Sequence, residues 1–192
     1  MKTLILASTS PRRKEILEKS GLDFVTEASD FEEDMSLDLT PADLVKQLSL
    51  GKAKAVADKH RDAVVIGSDT IISFNNKILG KPHTAEWAKE MLTELRGQQH
   101  SVWTGYSIID TDSGKSVSKS VEARVFFKHL SSQEIDDYIE TGEPIDKAGA
   151  YAIQGIGKSL IDHIEGDFYT IMGLPLQNVL EDLKQFGFAV RN

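Results

Sequence analysis

Hydrophobic positions along the chain fall into short runs and helical stripes. Leu4-Ile5-Leu6-Ala7 is an apolar run of strand length, and Ser8-Thr9-Ser10-Pro11 follows it. Ser10 has N-cap chemistry and Pro11 suits a first helical position, so a helix anchored by Ile16 and Leu17 is predicted, ending near Gly21. Thr40-Pro41-Ala42-Asp43 opens a second helix whose apolar stripe carries Leu44, Val45, Leu48, Ala55 and Val56. Lys52, four residues after Leu48, falls on that stripe, where its ammonium either reaches the rim or points at an anion.

Ala63-Val64-Val65-Ile66-Gly67 reads as a fully buried strand, and Ile71-Ile72-Ser73-Phe74 continues as strand beyond Ser68-Asp69-Thr70. Asn75-Asn76 predicts a hairpin to Ile78-Leu79. Thr84 caps a helix with Trp87, Met91, Leu92 and Leu95 inward, stopped near Gly97. Strands follow around Ser101–Asp110 and Val121–Phe127, joined by Thr111-Asp112-Ser113-Gly114. Ser131-Ser132-Gln133-Glu134 is a capping box for a helix through Ile135, Tyr138 and Ile139, ending at Gly142, and Leu176 to Phe186 forms a last helix on Val179, Leu180 and Leu183. Strands and helices alternate, with at least one hairpin breaking strict βαβ order. The expected class is α/β, a mixed twisted sheet flanked by helices, with residues 1–192 read as one unit.

Composition narrows the class of partner. With 40% hydrophobic and 27% charged residues the chain is ordinary globular material. No apolar run approaches the roughly 20 residues that cross a bilayer, and the absence of cysteine excludes disulfides and thiolate metal sites. A cytoplasmic location and no membrane partner are expected. The net charge of −8, with cations in small islands (Arg12-Arg13-Lys14, Lys52 and Lys54, Lys81), suits a small anionic ligand better than a nucleic acid.

Four segments could carry chemistry. Ser8, Ser10, Arg12 and Arg13 sit at a strand-to-helix junction, where unpaired N–H groups favour phosphate. Arginines in a first helical turn oppose the helix dipole, and a bound anion would offset that; two solvated arginines are the equal alternative. Asp69 follows an apolar run, as a turn residue bonding its own backbone or as a metal ligand or base at the rim of the sheet. The acidic run Ser29-Asp30-Phe31-Glu32-Glu33-Asp34 is a solvated loop or, folded near Asp69, a source of oxygen ligands for magnesium. The segment 143–155 is rich in small residues, which permit close approach of backbone to a ligand or simply tight packing. The five histidines have no paired metal spacing and read as surface or structural.

Taken in order, Leu6-Ala7-Ser8-Thr9-Ser10-Pro11-Arg12-Arg13, Glu32-Glu33, Lys52-Ala53-Lys54-Ala55, Gly67-Ser68-Asp69-Thr70, Gly80-Lys81-Pro82, Gly142-Glu143-Pro144, Asp146 to Tyr151, Gln154-Gly155 and Gly173-Leu174-Pro175-Leu176 closely resemble the Maf family of nucleotide pyrophosphatases. The resemblance implies two lobes around a cleft, similar to inosine-triphosphate pyrophosphatases. It also implies hydrolysis between the α- and β-phosphates, a divalent cation (Mg²⁺ or Mn²⁺), a nucleoside triphosphate substrate and a homodimer. It makes Asp69 the proton acceptor, with Glu33, Lys52 and Lys81 at the other catalytic positions and Ser8 and Arg13 at the phosphate-binding opening. Arg12, Thr70 and Gln154 match the branch acting on dTTP and UTP, with Ser10 beside them. Glu122, Trp103 and Gly105 depart from residues frequent in the family.

The implied mechanism is charge neutralisation plus water positioning: Glu33 and Asp69 hold the metal, Asp69 activates water, Lys52, Lys81 and Arg13 balance the triphosphate, and Gln154 reads the pyrimidine edge. The family's link to septum formation makes a non-enzymatic regulator of cell division the alternative. A purine house-cleaning enzyme is a third reading.

Overall fold

The computed structural model describes residues 2–35 and 37–189. Its strands are β1 (Thr3–Leu6), β2 (Val25–Thr26), β3 (Ala63–Phe74), β4 (Lys77–Leu79), β5 (Gln99–Asp110), β6 (Ser116–Phe127) and β7 (Ile161–Glu165). The helices are α1 (Pro11–Glu18), α2 (Pro41–Ala57), α3 (Ala85–Leu95), α4 (Ser132–Glu140), α5 (Phe168–Met172) and α6 (Leu176–Leu183). The seven-stranded sheet runs β2-β1-β3-β5-β6-β7, with β4 paired to β3. It is mixed: β1 is parallel to β2 and β3, while β3–β4 and β6–β7 are antiparallel. Among the described residues no helix is long and apolar enough to cross a membrane.

The chain divides into two compact units, one of Met1–Thr70, Trp103–Val121 and Asp167–Asn192, the other of Ile71–Val102 and Glu122–Gly166. In the first, Leu4, Ile5 and Leu6 of β1 and Ala63, Val64, Val65 and Ile66 at the start of β3 are buried throughout, as their unbroken apolar runs require. Helix α2 starts where Thr40 accepts from the Asp43 amide. It lies unusually close to the sheet. A Cβ at Gly67 would stand 2.3 Å from the Ser49 carbonyl, and one at Gly105 would stand 2.1 Å from that of Val45. Only glycine on β3 and β5 admits this approach. The buried helix positions are Leu44, Val45, Leu48, Ser49, Ala53, Val56 and Ala57. Ala55, expected on the stripe, is only half-buried, and Ala53 faces the core in its place. Tyr106 donates to Asp182 at 2.7 Å, and Lys119 reaches the other oxygen of that carboxylate at 2.7 Å, so α6 is tied to the sheet by a satisfied polar group.

In the second unit, Asn75 and Asn76 both adopt positive φ and turn β3 into β4, the expected hairpin. Helix α4 has the full capping box between Ser131 and Glu134. On α3 the core positions are Ala88, Leu92 and Leu95, whereas Trp87, expected inward, is 58% exposed. The stripe follows 88, 92 and 95, and residue 87 sits one position off it, in the first turn. Three short 3-10 turns, Glu143–Asp146, Ala148–Ala150 and Ile156–Leu160, make up the small-residue segment and its continuation. Around it His100, Phe127 and Tyr151 pack edge to face with ring centroids 4.9–5.3 Å apart.

Three local expectations differ from the structure. β3 runs unbroken through Ser68-Asp69-Thr70, so Asp69 is a mid-strand residue and not the turn residue of the alternative reading. β6 starts at Ser116, before the expected Val121. Ser10 occupies the N-cap position of α1 without a side-chain cap bond, and its amide donates to the Ser8 hydroxyl at 3.2 Å.

Candidate active site

The parallel pairing of β1 with β3 ends at Leu6↔Ile66. Asp69 lies three residues further along β3, beyond the carboxyl end of β1, the edge at which open α/β sheets receive ligands. Here the chain leaves β1 through Ala7 and Ser8, both buried, and enters α1.

Asp69 is 6% exposed. Burial pushes its carboxyl above the usual aspartate value; Lys52 and Arg13 pull it back, and the neighbouring Glu33 adds to the rise. Its partner is Lys52, whose Nζ donates to Asp69 Oδ1 at 2.5 Å and pairs with Glu33 Oε1 at 2.7 Å. Of the two earlier readings of Lys52, the anionic target is therefore the one realised. Its side chain is 13% exposed, and that of Glu33 44%. One ammonium thus bridges a buried carboxylate and a half-exposed one.

Arg13, whose charge also acts on Asp69, is anchored by other oxygens. Its Nε donates to the Gly173 carbonyl at 2.9 Å and its Nη2 to Thr70 Oγ1 at 3.3 Å. Thr70 Oγ1 shares a hydrogen bond of 2.8 Å with Thr104 Oγ1, and Thr104 donates to the Thr170 carbonyl at 2.6 Å. Ser68 Oγ stands 2.9 Å from the carbonyl oxygens of both Gly105 and Gly173. The guanidinium is held as a planar fork by fixed oxygens. Burial lowers its pKa, and the Asp69 charge works against that lowering.

The structure therefore brings together Asp69, Lys52 and Glu33, and beside them Arg13 and Thr70. Ser8 is buried at the same strand end, with Ser10 bonded to it. Arg12 is exposed on α1 and is not drawn into this network. Lys81 and Gln154 belong to the second unit, and both are exposed. Lys81 follows β4. Gln154 sits between two clamps: the Ala152 amide donates to Tyr138 Oη at 3.4 Å, and the Glu143 carboxylate accepts from Ile156 N at 3.3 Å and Gly157 N at 2.8 Å. Ser68, Thr104, Glu143 and Gly173 escaped the sequence reading as site residues. Each stood in a segment already singled out, but its role depends on a partner far along the chain.

Among the described residues no group of three or more His, Cys, Asp or Glu could hold a metal. Asp69 and Glu33 converge on Lys52 Nζ, and two carboxylates are the ligand type of a divalent cation that takes its remaining ligands from water and phosphate oxygens, the usual habit of magnesium.

Known proteins are similar to this chain in sequence and in fold. The sequence model of the Maf-like protein family matches residues 3–186. The chain is 46% identical over 190 residues to the dTTP/UTP pyrophosphatase of Bacillus cereus (strain ATCC 10987 / NRS 248), covering 99% of this chain and 93% of that one. It is 46% identical over 186 residues to the dTTP/UTP pyrophosphatase of Bacillus cytotoxicus, covering 97% and 96%. In three dimensions it is similar to the Ham1 protein of Staphylococcus aureus, with a TM-score of 0.54 and 14% identity over 97% of this chain and all of the other. That likeness concerns the fold alone.

Proposed function

Because this chain belongs to the Maf family, we propose that it is a pyrophosphatase that hydrolyses dTTP and UTP to the nucleoside monophosphate and pyrophosphate. The observation that carries the reading is the bridge from Lys52 to Asp69 and Glu33, set beside an arginine held rigid by Gly173 and Thr70.

In this reading Asp69 accepts the proton of the water that attacks the α-phosphorus. Burial raises the basicity of its carboxylate, which suits it to that task better than an exposed aspartate. Lys52 keeps the carboxylate oriented and, with Arg13 and Lys81, offsets charge on the triphosphate and on the departing pyrophosphate. Because Lys52 and Arg13 are held by protein oxygens before the substrate arrives, little reorganisation of these two is needed as charge shifts to the leaving group. Arg13 presents a planar fork to phosphate oxygens, and Ser8 and Ser10 offer hydroxyls at the same opening. A divalent cation, Mg²⁺ or Mn²⁺, bound by Asp69 and Glu33 would supply further neutralisation at the phosphates. Gln154, with Arg12 and Thr70, selects the pyrimidine, since its amide offers one acceptor and two donors to the base edge. A homodimer in the cytoplasm is part of the same proposal.

The test is product identity. UTP or dTTP incubated with the protein and Mg²⁺ or Mn²⁺ should yield the monophosphate and pyrophosphate together, and EDTA should stop the reaction. Orthophosphate and a diphosphate as first products would sink the mechanism.

A further inference from the structure

Helix α2 carries a glycine in its interior, Gly51, directly before Lys52. An interior glycine weakens a helix relative to alanine, so its presence needs a reason. The reason is Phe31. A Cβ on Gly51 would stand 2.3 Å from the Phe31 ring, with three ring carbons within 2.7 Å. The tip of the aromatic ring (Cε1, Cζ and Cε2) occupies the space beside the helix backbone that any side chain at 51 would take.

Phe31 is two residues from Glu33, and Gly51 is the neighbour of Lys52. Two further contacts join the same segment to the region after α2: Lys59 pairs with Asp30 at 3.0 Å, and His60 meets Glu27 at 2.6 Å. The Phe31 amide is turned inward by a bond to Ser29 Oγ at 3.2 Å. The Lys59 pair is exposed and the Glu33 carboxylate half-exposed, and ion pairs of that kind are weak tethers. The packing of the half-buried Phe31 ring against α2 is an apolar tether that salt does not screen.

We infer that Phe31 and Gly51 are positioning residues that hold Glu33 over Lys52 and Asp69. The consequence for catalysis rests on the proposed pyrophosphatase reading of Glu33; the positional claim does not. Gly51→Ala inserts a methyl group where the ring lies, while improving the helix. The ring must leave, and the segment 29–35 must move with it.

The test uses the whole protein and three measurements. In metal-free protein, amide hydrogen exchange of 31–35 should quicken in Gly51→Ala while the melting temperature stays at or above that of the wild type. Unchanged exchange overturns the positional claim. Steady-state hydrolysis of UTP by Gly51→Ala should fall roughly 10- to 100-fold in kcat, the scale of a small misplacement of a reacting group. Replacing the ring as well, in Phe31→Leu/Gly51→Ala, should recover a large part of the loss. The third is a cycle with Glu33→Gln: Gly51→Ala should cost nothing further in that background, because both changes act on one group. An equal loss in both backgrounds overturns the inference. If Glu33→Gln turns over like the wild type while exchange at 31–35 still responds to Gly51→Ala, the packing claim stands and the functional reading of Glu33 fails.

Discussion

Lys52 Nζ lies 2.5 Å from Oδ1 of Asp69, and this contact, with the charge of Arg13, compensates a carboxylate that is otherwise shut away from water. Lys52→Met keeps the apolar stem but leaves Asp69 and Glu33 facing each other without their cation. Removing one member of a buried pair costs about 3 kcal/mol, so urea unfolding at pH 7 in EDTA should show a loss of that size, together with a collapse of dTTP turnover. A variant as stable as the wild type would mean that the pair is not a compensated one.

Asp69→Asn behaves differently, because Lys52 still has Glu33 at 2.7 Å. The folded-state pKa of Asp69 is raised, so its ionisation opposes folding as pH climbs above the ordinary value of 3.8. The amide should therefore leave the melting temperature in EDTA at neutral pH unchanged or higher. Turnover should fall by roughly 10²- to 10⁴-fold, the usual contribution of general acid–base catalysis. If more than about a tenth of the wild-type kcat remains, well above what loss of a base allows, Asp69 is not the proton acceptor.

Gln154 is exposed in a loop clamped on both sides, by Tyr138 at Ala152 and by Glu143 at Ile156 and Gly157. Gln154→Glu keeps the size, removes two donors and adds charge. A lost or unpaired hydrogen bond of this kind is worth roughly 10- to 100-fold in affinity. The loss in kcat/KM should fall on dTTP and UTP with little change in thermal unfolding. An unaltered preference across a nucleotide panel would remove Gln154 from base selection.

His100 is buried against Tyr151 Oη at 2.7 Å, and burial holds its pKa down to about 4. Between the ordinary histidine value of 6.5 and about 4 the unfolded chain takes up a proton that the folded chain refuses. The stabilisation is complete above pH 6.5 and is lost as pH falls towards 4, by roughly 3 kcal/mol in all. His100→Gln retains a polar partner for Tyr151 without titrating, so its unfolding free energy should depend less steeply on pH across that window. Parallel pH profiles for the two proteins would show that His100 is not the group responsible.

The elements legible in the sequence were those with local causes. Thr40 before Pro41, the paired asparagines at 75 and 76, and the Ser131–Glu134 capping box each act within a few residues, and each produced the expected structure. The continuity of β3 was hidden because three successive polar residues look like a turn. They remain in strand because Ser68 meets the carbonyls of Gly105 and Gly173, Asp69 meets Lys52, and Thr70 meets Thr104. β7 was missed because Asp162, His163 and Glu165 give it the polarity of a loop, which an edge strand tolerates. At the candidate site the residue types were visible, but the lock on Arg13 was not, since its acceptor lies on a glycine with no side chain to announce it.

That lock bears on the order in which the molecule is made. Glu33, Lys52 and Asp69 emerge from the ribosome early, whereas the carbonyl that anchors Arg13 and Ser68 belongs to Gly173, 160 residues after Arg13. A nascent chain halted before that point has its carboxylates and its bridging lysine but no seat for the guanidinium. Premature termination anywhere upstream of Gly173 thus yields fragments in which Arg13 and Ser68 lack the carbonyl that anchors them both.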